Sequence, residues 1–295
     1  MKSNFKPFLW AAVLGLVLGF TACKGDSTKD DKKDTNEIKV TNDNLTFYLI
    51  PSPKDMFSFT SSNELAFSTA VLNPAENADK YLDVRSQELG FGIYSADLAY
   101  TAAFFQTKEA KKYLKVVRGL SDQIGISSVF DEALVTRFDE MPDNKDSLIQ
   151  VTNDTYFDIV KFLEENERKS TLALISTGGW LESLYIVVNL VNDYKEDSDV
   201  IQLIADQKNI FENLLLYLEQ HKNDPNINSV IQELAPIKAI YDQLEVVKQE
   251  RPKTPENTGK IIVGGTTRIV MTAEQFKNLK ETITKVRNKL SANNV

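Results

Sequence analysis

TLALISTGGWLESLYIVVNLV, residues 171–191, is the longest apolar stretch beyond the N-terminal region, and its reading decides the fold. Its length and composition raise the question of a membrane span. Glu182 sits at its centre, where a charge costs about 2.5–3.5 kcal/mol on insertion scales, and Asn189 and Gly178-Gly179 weaken that case further. The stretch is therefore read as a core helix enclosed on all sides. Each glycine costs about 1 kcal/mol inside a helix, so the pair lets a neighbouring helix approach closely or marks a bend.

Residues 89–100, LGFGIYSADLAY, look like a relative of this stretch. Both place glycines ahead of an aromatic residue (Tyr94, Trp180), then an acid with a tyrosine three positions on: Asp97 with Tyr100, and Glu182 with Tyr185. This reads as a weak internal duplication, two helical halves each with a glycine-started, acid-bearing central helix. The spacing of about 85 residues exceeds the 34–47 residues of helical solenoid repeats, and the run from Trp180 to Leu184 lacks the glycine of a tetratricopeptide signature.

Outward from these two stretches the helical period persists. Ala110, Tyr113, Leu114, Val117, Leu120 and Ile124 recur at three- and four-residue steps, one face of a helix. So do Val129, Phe130, Ala133, Leu134 and Phe138, then Tyr156, Ile159, Val160 and Leu163, then Val200, Ile201, Ile204, Phe211, Leu214, Leu215 and Leu218. Asp224 as N-cap and Pro225 at the first helical position open a helix over 230–247, which Pro236 should kink. The tail changes character. Pro252, Pro255 and Gly259 make a linker; 260–263 and 266–271 read as a hairpin turned by Gly264-Gly265. Thr272 with Gln275 is a capping box for a final helix to about Leu290. The expected fold is all-α, a multi-helix bundle over 45–250, with the linker, β-hairpin and C-terminal helix of 251–295 packed on it.

Asp97 and Glu182, on apolar helices, are the candidates for a paired general acid and base, since burial raises a carboxyl pKa as such catalysis needs. The structural alternative is that each accepts hydrogen bonds from a tyrosine hydroxyl or from N–H groups at a helix start. A third possibility is an apolar pocket lined by Tyr94, Tyr100, Trp180 and Tyr185. No metal or cofactor is expected. His221 is the single histidine and stands in a hydrophilic helix end. A nucleophile elbow, a phosphate loop and a dinucleotide fingerprint are all missing from the sequence.

The N-terminal region carries its own signal. Lys2 and Lys6 precede an apolar run over 9–20, and Thr21-Ala22 lead into Cys23, the only cysteine. This resembles the lipobox of bacterial lipoproteins, with Phe20 standing where leucine is usual. The resemblance implies cleavage after Ala22 and acylation of Cys23, with palmitate-type chains holding the protein to a membrane. A disulfide within the chain is impossible with one cysteine. Removing 1–22 takes away two of the 34 basic residues and none of the 42 acids, so the balance moves from −8 to −10. That argues against nucleic acid as a partner. Residues 24–36 (KGDSTKDDKKDTN) hold too little apolar surface to offset ordering and read as a disordered tether within 23–44. Lys29-Asp30-Asp31 resembles the surface-export signal of Bacteroidetes lipoproteins. Residues 92–100 (GIYSADLAY), 146–148 (DSL) and 178–185 (GGWLESLY) look like those of uncharacterised helical lipoproteins of Bacteroidetes. The resemblance implies an outer-membrane lipoprotein, displayed at the cell surface ahead of facing the periplasm. The molecular role expected is a binding or assembly module for an envelope protein. The alternatives are an envelope hydrolase using Asp97 and Glu182, and a bundle that binds a small apolar ligand.

Overall fold

Asp83 starts the first long helix with a reciprocal cap: its carboxylate accepts from Ser86 N at 3.0 Å, while Ser86 Oγ accepts from Asp83 N at 3.2 Å. Helix α1, Val84–Ala103, follows. In this computed structural model the described residues are 56–57, 65–130, 136, 145–249 and 266–291. Cys23, the tether, the helical run through Ala133, Leu134 and Phe138, and Lys260 to Gly265 lie outside them. Two short 3-10 helices, Thr69–Val71 and Ala75–Lys80, precede α1. The remaining long elements are α2 (Thr107–Gln123), α3 (Lys145–Glu165), α4 (Lys169–Leu190), α5 (Asp199–Gln220), α6 (Pro225–Tyr241) and α7 (Ala273–Ser291). Strands β1 (Glu245–Gln249) and β2 (Thr266–Val270) form one antiparallel pair before α7.

The expected caps form. Asp224 accepts from Asn226 N at 2.9 Å with Pro225 in the first turn. Gln275 N donates to Thr272 Oγ1 while Gln275 Oε1 accepts from Thr272 N. Three helices end in one way: the N–H of Gln106, Ile126 and Arg168 reaches back five residues to Thr101, Ser121 and Leu163. The residue before each donor has positive φ, and only at Gly125 is it glycine; Phe105 and Glu167 take φ of 55°.

One expectation near the tail needs correction: the helix expected to run on to Val247 stops at Tyr241, and β1 begins at Glu245. Its partner is β2, in the register Val246 to Ile269 and Val247 to Arg268; β2 matches the expected strand over 266–271, while the strand over 260–263 and Gly264-Gly265 lie outside the described residues. Adjacent β-branched valines suit a strand, and β2 offers the edge that an isolated reading of the helical period misses. Arg268 fixes β2 to α5 by donating to Gln202 Oε1 at 2.6 Å.

Helix α4 has the length and apolarity of a membrane span, but most of its side chains are buried against α1, α7, α5, α3 and α6. The α1–α4 contact is the most extensive in the molecule. Here the glycines matter. A Cβ on Gly92 would collide with the carbonyl oxygen of Ile175 and lie 2.7 Å from Gly179 N. A Cβ on Gly178 would collide with the carbonyl oxygen of Leu89. The contact is reciprocal, Gly92 on Ile175 and Gly178 on Leu89, so the two glycine-bearing stretches form one central pair. The step from one stretch to the other is 86 positions for these contacting residues, but 85 from Asp97 to Glu182. One residue is about 100° of helix rotation, so the two acids do not occupy equivalent directions around the pair.

Alanine at Gly92 or Gly178 has to push backbone against backbone, and each change should cost about 3 kcal/mol or more. Gly119, in α2, has nothing within 4 Å of its missing Cβ. There alanine should stabilise by about 0.5–1 kcal/mol. Urea unfolding of the three variants checks both signs.

Candidate functional site

Asp97 and Glu182 point into the centre of the bundle and are fully buried. Glu182 is met by Arg287 of α7. The guanidinium donates from Nε to Oε2 at 2.6 Å and from Nη2 to Oε1 at 2.7 Å, a two-pronged, charge-assisted contact. The Tyr185 ring lies beneath the guanidinium, 4.5 Å from centroid to Cζ. Arg287 is 7% exposed, so the pair is nearly dry. Burial works against the arginine's charge, yet the Glu182 carboxylate, and less strongly Asp97, raise its pKa above the ordinary arginine value.

Asp97 is served poorly. Oδ2 accepts one hydrogen bond, from Asn73 N at 3.3 Å, and Oδ1 has no hydrogen-bond partner among the described residues. Burial, then the charge of Glu182, push its carboxyl well above the usual carboxylate range, against Arg287 and the Asn73 N–H. Asn73 itself is 1% exposed and ties together the segment between the two 3-10 helices. Its carbonyl accepts from Tyr113 Oη at 2.9 Å, its Nδ2 donates to Tyr81 Oη at 3.1 Å, and its Oδ1 accepts from Asn77 Nδ2 at 3.2 Å.

The tyrosines expected to serve the acids do other work. Tyr94 donates to Pro74 O at 2.8 Å, and Tyr100 donates to Ser68 O at 3.3 Å while accepting from Ser68 N at 2.8 Å. Neither hydroxyl bonds to a carboxylate, so that part of the structural expectation is corrected: the acids' partners are an arginine and one loop N–H. Burial also raises these phenols, Tyr81 and Tyr100 each to about 12.

The four rings expected to line one pocket each have a different set of neighbours. Tyr94 packs on Tyr81 and Tyr113; Tyr100 stacks on Phe67 at 5.2 Å and meets Phe104 and Phe57. Tyr185 faces Arg287. Trp180 turns to α5, stacked on Phe211 at 4.5 Å and donating to Gln207 Oε1 at 3.1 Å. A hollow between α5 and β2, lined by Gln202, Arg268 and Met271, has room for little more than water. Among the described residues there is no group of three or more potential metal ligands.

Arg287 and Asn73 are the members of this centre that sequence reading misses. Arg287 did leave a trace: it falls on the buried stripe of α7 with Phe276, Leu279, Ile283, Val286 and Leu290. A charge inside an apolar stripe calls for an opposite charge on the facing element. Comparison with protein-family models, curated proteins and solved structures finds no match to this chain.

Breaking the pair from either side leaves an uncompensated buried ion. Glu182→Gln and Arg287→Met should each destabilise by about 3–5 kcal/mol. Because the two losses share one interaction, the double variant should lose much less than their sum. A double-mutant cycle by chemical denaturation measures this directly.

Proposed function

We propose that the chain is a lipid-anchored outer-membrane protein, displayed at the cell surface, whose helical unit is a binding or assembly module for an envelope protein. One observation supports a non-catalytic reading of the centre. Asp97 and Glu182 are both sealed inside, with Glu182 locked to Arg287. A general acid or base has to come within hydrogen-bond reach of the substrate, and here the elements that enclose the acids also carry their partners. Glu182 thus serves to hold α4 to α7 and Asp97 to hold α1 to the segment before it, and the outer faces of the helices are left for recognition.

The anchor rests on the lipobox-like run into Cys23. Acyl chains contribute about 0.8 kcal/mol for each buried CH2, enough to hold an acidic protein at a membrane without electrostatic help.

Cys23→Ala should abolish labelling by a fatty-acid probe and move the protein out of the detergent phase. Labelling that persists in the variant refutes the anchor. The assembly reading is tested by crosslinking the full-length protein in intact cells, with Asp97→Asn as control. Discrete crosslinked species should form, and the control should leave them unchanged. A protein that runs only at its own mass, in both cases, sinks the reading.

A further inference from the structure

Asp97 and Glu182 share the centre of the bundle with Arg287, and the arginine's geometry assigns it to one of them. Nε and Nη2 of Arg287 both go to Glu182, and Nη1 turns to Asn288 Oδ1 at 3.4 Å. None of these bonds goes to Asp97. An ionised carboxylate has about four lone-pair sites to satisfy, and Asp97 receives one long N–H contact. None of the surrounding tyrosine hydroxyls bonds to Asp97. Tyr94, Tyr100 and Tyr113 spend their hydroxyl protons on the carbonyls of Pro74, Ser68 and Asn73. Tyr81 turns its oxygen to Asn73 Nδ2. An anion at this position would be among the most poorly solvated groups in the fold, with a second anion beside it.

We propose that Asp97 is a buried proton-binding site, carried as the neutral carboxylic acid in the folded protein at neutral pH with the proton on Oδ1. Oδ2 then accepts from Asn73 N, and the centre as a whole, Asp97 with Glu182 and Arg287, is electrically neutral. The groups that act on this proton come from every side. From the segment before α1 they are the Asn73 N–H and Tyr81, from α1 itself Tyr94 and Tyr100, and from α2 Tyr113. From α4 comes Glu182 and from α7 comes Arg287. Of the charged ones, Glu182 favours the proton on Asp97 and Arg287 opposes it. Burial adds to the first.

The consequence is a pH dependence opposite to that of an ordinary salt-bridged acid. The unfolded chain releases this proton near pH 3.9, whereas the folded chain keeps it. The stability it confers is therefore complete below about pH 4 and is lost as pH rises toward the point where folded Asp97 ionises. Ionisation puts a net negative charge into the centre, where Arg287 faces two anions in place of one.

Infrared spectroscopy of the full chain in D2O at neutral pH tests the proton itself. A C=O stretch of a protonated carboxylic acid should appear, shift when aspartate is labelled with 13C, and be lost in D97N. Absence of the band overturns the proposal, as does a band that ignores aspartate labelling, which places the proton on a glutamate. Urea unfolding supplies an independent measurement. Relative to D97N, the wild-type unfolding constant should rise by up to tenfold per pH unit above about pH 4. A ratio that stays constant with pH overturns the proposal. If D97N does not fold, the labelled wild-type band at neutral pH decides alone.

Discussion

Helices α1 and α4 meet backbone to backbone, Gly92 against the Ile175 carbonyl and Gly178 against the Leu89 carbonyl. That approach sets the spacing of everything around it. It brings two long, nearly uniformly apolar helices close enough to exclude water along their shared face, and it carries Asp97 and Glu182 inside with them. Packing at interior density leaves little freedom to relieve a misplaced group. The remaining helices then have to supply what the central pair lacks: α7 brings Arg287, and α2 and the 3-10 segment bring Tyr113 and Asn73.

Two acids at similar sequence positions thus end in different chemical states. The glycine contacts relate α1 and α4 by one step in sequence, and the acids by a step one residue shorter. A rotation of about 100° between them is enough to aim Glu182 at α7 while Asp97 faces the segment before α1. Glu182 gains a planar, fully charged partner that satisfies both its oxygens. Asp97 gains a loop amide. A resemblance between two stretches of sequence says little about the charge each carries in the fold, because charge state depends on what the neighbouring elements present.

Much of this architecture was legible in the residues themselves. Glu182, Asn189 and the glycine pair marked residues 171–191 as a core helix, and the glycines pointed to a close helix neighbour. Asp224-Pro225 and Thr272 with Gln275 placed two helix starts, because capping is a local matter of side chain and backbone. What escaped detection was non-local. Arg287 lies 105 positions from Glu182, and only the odd charge in the stripe of α7 hinted at it. Asn73 carries no local signal, since its value lies in reaching Asp97, Tyr81 and Tyr113 at once. The strand at Val246-Val247 lost out to a helical period that ran on past Tyr241, since a strand is defined by its partner, and β2 starts 17 positions beyond the last residue of β1. Sequence spacing sets a tyrosine three positions after each acid, but hydroxyl direction is set by where the nearest backbone carbonyl stands, as at Tyr94 and Tyr100.

A ribosome releases α1 and α4 well before α7. Until residue 287 has emerged, Glu182 has no counter-charge, and enclosing it as an anion is opposed by several kcal/mol. The growing chain can form its helices and bring the glycine faces together, but it cannot seal the interior around a stable ion pair. Closure waits for the last helix described. The charge balance of the interior is therefore complete only in a chain that includes α7.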